Sequence, residues 1–100
     1  MSKLRSEAGD EPHPAARREQ ALERLARLLP GGSPGRAIAV RSAAVIEVRT
    51  AAMSCPQCGG EYRILEHTRA PSGARRVDVA CRRCSVPRTL WFRIVEWDVN

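Results

Sequence analysis

The sequence predicts a mostly β domain with an amphipathic helix ahead of it. Three observations carry that prediction. Apolar and polar residues alternate through much of the chain after residue 37. All the aromatic residues (Tyr62, Trp91, Phe92 and Trp97) follow Cys58, so the large core-forming side chains are concentrated in a short C-terminal piece. Two Cys-x2-Cys pairs, Cys55/Cys58 and Cys81/Cys84, lie in that same piece. A unit that small seldom buries enough apolar surface to fold without a metal, a disulfide or a partner.

Taken in order, residues 1–13 hold Ser, Glu, Asp, Pro and Gly with little to bury, and read as a disordered tail that includes His13. Residues 14–29 read as a helix. Pro14 suits the first helical position, Leu22, Leu25, Leu28 and Leu29 recur at spacings of three and four, and Glu23 precedes Arg27 by one turn. Pro30, Gly31 and Gly32 stop it, and residues 30–36 have the composition of a flexible linker. The remainder, 37–100, is expected to be one domain.

Within that domain, Ile38, Val40, Ile46 and Val48 share one parity and Arg41, Glu47 and Arg49 the other, so residues 37–49 predict one or two short strands. Residues 61–68 and 75–80 flank the turn-forming residues Ala70, Pro71, Ser72 and Gly73 and predict a β-hairpin. Residues 88–97 are apolar on both parities, which predicts a strand sandwiched between two layers.

The cysteine spacing is Cys-x2-Cys, 22 residues, Cys-x2-Cys. One tight turn presents two sulfurs to one ion, and a hairpin returns the second pair beside the first. Four thiolates are a common closed set for structural Zn²⁺. Iron in an Fe(Cys)₄ centre, a thiol redox pair and a disulfide framework are the alternatives. The residues after Cys58 read as strand rather than helix, which counts against a thioredoxin-like redox site.

The stretch Cys55-Pro56-Gln57-Cys58-Gly59-Gly60 resembles the CPxCG knuckle of zinc ribbons, including those of small bacterial proteins. The resemblance runs from Cys55 to about Trp97. It implies a three-stranded antiparallel sheet with two Cys knuckles, one structural Zn²⁺ per chain, and Cys55, Cys58, Cys81 and Cys84 as ligands. The second knuckle departs from the pattern, with Ser85 where the family carries Gly. Serine tolerates positive φ less well, so a strained turn is expected there.

Composition bounds the function classes. The formal net charge is +6, and Lys3 is the one lysine among 17 basic residues. Such basicity permits a nucleic-acid partner. Arg75, Arg76, Arg82, Arg83 and Arg88 cluster in sequence around the second knuckle and are the candidate contacts, with Arg63, Arg69 and Arg93 able to join them across the sheet and Trp91 or Tyr62 able to stack on bases. The alternative is a protein-docking or homodimerisation adaptor using the Leu-faced helix. A closed Cys₄ set leaves no open metal position, and no nucleophile stands beside an evident base, so neither an enzyme nor a small-molecule substrate is expected. His67 reads as a solvated strand residue. No segment reaches the roughly 18 apolar residues of a membrane span. The first ten residues are polar, without the apolar core of a signal peptide, so a cytoplasmic setting is expected.

Overall fold

The computed structural model of the protein describes residues 14–95. The tail expected over residues 1–13, and Glu96 and Trp97, lie outside them. The order of elements is α1 (Pro14–Ala26), a 3₁₀ turn (Pro34–Arg36), β1 (Ile38–Val40), α2 (Ala43–Ala51), β2 (Tyr62–Arg69), β3 (Arg75–Cys81) and β4 (Pro87–Ile94). The fold is mixed α/β: two helices and one four-stranded mixed sheet in the order β1-β4-β3-β2. The three antiparallel strands expected after Cys58 are present as β2, β3 and β4, while the second helix and the parallel pairing of β1 correct the mostly β expectation.

The correction begins at residues 37–49. Only Ile38–Val40 is strand, and it pairs in parallel with β4 through Ile38↔Phe92 and Val40↔Ile94. Ser42 is extended (φ −155°, ψ 166°), and the chain then turns into α2. The alternation of Ile46 and Val48 with Glu47 and Arg49 imitates a strand, but the buried pair is Ile46 and Thr50, one helical turn apart. Val48 is left 68% exposed. Ala43, Ala44 and Ala51 favour the helix, and Ser42 is a residue type common at helix starts.

β2, β3 and β4 form the antiparallel part, with Val77↔Leu90 and Ile64↔Val79 in register. A bulge at Leu65 lets β2 change phase, so His67 stands opposite Val77. His67 is half-buried, with a buried Nε2 that has no partner among the described residues, rather than solvated. β4 ends at Ile94 and lies edge to edge between β3 and β1. The expected face-on sandwich is therefore replaced by a place inside the sheet. Ile38, Val40, Tyr62, Val77, Val79, Leu90 and Phe92 gather with Ile46 into the core.

α1 stops at Ala26, three residues short of the expected end, and continues as turns. It is also rolled relative to its leucine pattern. Ala26 is its one buried residue, while Leu25, Leu28 and Leu29 are exposed. The segment read as a flexible linker is tied to the sheet: Gly31 N–H donates to Arg36 O (2.6 Å), and Trp91 N–H donates to Gly31 O (2.8 Å). No helix among the described residues is long and apolar enough to cross a membrane.

Candidate metal centre

The first cysteine pair precedes β2, and the second spans the end of β3 and the turn into β4. Because β2 and β3 are paired from Arg69↔Arg75 back to Tyr62↔Cys81, the hairpin carries both pairs to the same end of the sheet. The Sγ atoms of Cys55, Cys58, Cys81 and Cys84 all lie within 4.8 Å of one another. Cys55 and Cys84 are 3.8 Å apart, Cys58 and Cys81 3.4 Å. A tetrahedral ion with Zn–S near 2.3 Å requires sulfurs about 3.8 Å apart, so the donor set fits one such ion. No two of the four sulfurs are bonded to each other in this structure.

The knuckles share one backbone pattern. Gly59 N–H donates to Cys55 O (2.7 Å) and Ser85 N–H to Cys81 O (3.0 Å). Cys55 N–H donates to Gly60 O (2.8 Å) and Cys81 N–H to Val86 O (3.0 Å). Each knuckle passes through positive φ after its second cysteine, at Gly59 (79°) and Ser85 (67°). Backbone N–H groups then aim at sulfur: Gln57 at Cys55 (3.4 Å), and Arg83 and Cys84 at Cys81 (3.3 and 3.4 Å). Gly60 is required for a different reason. A Cβ there would lie 2.8 Å from Cys81 Sγ and 3.3 Å from Cys58 Sγ.

Ser85 is thus the strained residue that the sequence predicts. A left-handed conformation costs a non-glycine residue roughly 1–2 kcal/mol, and the greater freedom of glycine in the unfolded chain offsets part of the gain. Ser85→Gly is expected to stabilise the metal-loaded protein by about 1 kcal/mol, read as a higher midpoint in chemical denaturation. An unchanged or lower midpoint would show that the turn carries no strain.

The electrostatics distinguish the sulfurs. The N–H of Cys84, helped by that of Arg83, lowers the Cys81 thiol to about 6 despite burial. At Cys84 the Val86 N–H favours the thiolate, but desolvation and the crowding sulfurs of Cys58, Cys81 and Cys55 push it up to about 12. Four close thiols cannot all ionise without a cation to share, and a divalent ion supplies that charge.

The candidate arginines do not form one patch. Arg75 and Arg76 open β3 and Arg82 and Arg83 follow its end, about 20 Å away along an extended strand. Arg76 faces Asp78 (3.2 Å). Arg83 Nη1 donates to Cys58 O (3.1 Å). Arg88 is no surface contact at all. Its side chain is 7% exposed, its Nη2 pairs with Glu23, and its Nη1 donates to Tyr62 Oη (2.9 Å). Tyr62 is buried too, which removes it as a stacking platform and raises its phenol to about 12, against the opposing pull of Arg88.

The sequence pattern pairs Glu23 with Arg27 and gives Gln57 no role, and the structure differs on both. Gln57 Nε2 donates to Glu19 O (3.0 Å) and Glu23 Oε2 (2.8 Å), joining α1 to the first knuckle. The one sequence signal for Gln57 is its place between two ligands. Compared with protein-family models, curated proteins and solved structures, the chain matches none.

Proposed function

We propose that this protein is a non-enzymatic binding module folded around one structural Zn²⁺, its two knuckles like those of zinc ribbons. The observation that supports this is the convergence of four Sγ atoms within 4.8 Å, backed by three N–H groups aimed at sulfur. Four protein ligands close the coordination shell, so the ion organises the chain rather than activating water. Elemental analysis of the purified protein tests the metal. One zinc per chain is expected, and iron in its place, or no metal, would overturn this.

The partner surface we favour is the sheet face turned away from α2. Strand alternation and register place Arg63, Arg76 and Arg93 on it, with Trp91 opposite Arg76. The three arginines are exposed and Trp91 is half-exposed. Guanidinium groups beside an aromatic ring suit single-stranded nucleic acid, through phosphate contacts and base stacking. Single-stranded DNA is expected to be retained at about 50 mM salt and released as salt rises. Changing Arg63, Arg76 and Arg93 to Ser should abolish retention, while changing Arg82 and Arg83 should weaken it less. No retention by the unaltered protein would sink this reading.

A second reading rests on Leu25, Leu28 and Leu29, exposed at 57%, 58% and 51%. These would serve protein docking or a homodimer. A metal-loaded chain that is monomeric by light scattering at high concentration would remove the homodimer version.

A further inference from the structure

α1 is held to the rest of the molecule chiefly by polar contacts. Only Ala26 of its 13 residues is buried, and an isolated helix of about 12–15 residues is marginal in water. Its order must therefore come from docking. The contacts converge on one carboxylate oxygen, Glu23 Oε2, which accepts from Gln57 Nε2 and from Arg88 Nη2. Gln57 also holds the Glu19 carbonyl.

Both donors are fixed by other parts of the structure. Gln57 lies between Cys55 and Cys58, with its own N–H on Cys55 Sγ, so its position follows the shape of the first knuckle. Arg88 sits at the start of β4, just past the second knuckle, and is braced by the Tyr62 hydroxyl. The carboxylate thus reads the position of both knuckles at once. Across a groove of about 450 Å³, Ala15, Arg18 and Leu22 of α1 face Cys58 and Cys84.

We propose that α1 is a latch on the metal centre: Glu23, gripped by Gln57 and Arg88, docks the helix when the metal draws the knuckles together and frees it when the knuckles part. Glu23 and Gln57 are positioning residues in this scheme. Linkage requires the coupling to run both ways, so the docked helix must also tighten metal binding. An undocked α1 presents Leu22, which is half-buried in the docked helix, beside the exposed Leu25. The inference rests on the metal-binding reading of the cysteine cluster.

Hydrogen–deuterium exchange on the full zinc-loaded chain tests it, beside the zinc affinity measured in competition with a chelator. In the unaltered protein the α1 amides should be protected. Glu23→Ala and Gln57→Ala should each lower that protection at least tenfold and weaken zinc affinity several-fold. In Gln57→Ala, which leaves the Arg88–Glu23 pair intact, the β3 and β4 amides should keep their protection, with one zinc per chain. Glu19→Ala, which spares the carbonyl that Gln57 uses, should leave both readouts unchanged. Unaltered α1 protection in both latch variants would overturn the proposal. So would an opened helix with an unaltered zinc affinity. A chain that takes up no zinc would overturn the metal reading itself, whereas a zinc-loaded chain with an indifferent α1 overturns the latch alone.

Discussion

Stripping the metal from the purified protein is expected to unfold the sheet. Structural zinc contributes about 10–16 kcal/mol to the folding of finger-sized peptides at neutral pH, which matches or exceeds the roughly 5–15 kcal/mol net stability of a whole domain. Circular dichroism should lose its strand signal on full chelation, and Trp91 fluorescence should shift towards that of a solvated indole. Retention of both signals after elemental analysis shows the zinc gone would refute a folding role for the ion. Acid should act in the same direction. All four thiols must give up their protons when metal binds, so zinc affinity should fall steeply as pH falls below the ordinary thiol range, by more than about tenfold per unit. An affinity independent of pH between 5 and 8 would contradict thiolate ligation.

Replacing Phe92 by Ala should be the most damaging single change away from the cysteines. Phe92 is wholly buried, and its register partners are Ile38 on β1 and Arg75 on β3. It is therefore the side chain that joins the parallel edge strand to the antiparallel hairpin. Phe→Ala in a core costs about 3–5 kcal/mol. Measured by denaturant titration with zinc saturated, the loss should fall in that range. Val48→Ala, at a position 68% exposed, should change stability by less than about 0.5 kcal/mol. Equal effects at the two positions would mean that α2 and β1 are not placed as described.

The metal centre is legible in the sequence because its information is local. Two residues between cysteines set the bite of each pair, and the turn residues between two alternating segments imply the hairpin that reunites the pairs. The strain at Ser85 is legible for the same reason, since a knuckle dictates the backbone sign at one position. The segment over residues 43–51 reads wrongly as strand because a period of two over four residues is a weak signal. Ile46 and Thr50 prefer the helical phase only once a sheet is there to bury them.

Local pattern thus determines the four-cysteine cluster, the hairpin, the last strand and the existence of α1. Long-range packing settles the rest. β1 can join β4 only because that strand offers a free edge beyond Trp91, a fact about pairing across more than 50 residues. The leucines of α1 predict which face should turn inward, and that prediction fails on electrostatics. Arg88 is 7% exposed and needs an anion, Glu23 is within reach, and with that carboxylate turned inward Leu25 faces solvent, as do Leu28 and Leu29 in the turns after the helix. A buried charge left unpaired is costlier than a few exposed leucines, and no one-dimensional pattern contains the distance between residues 23 and 88.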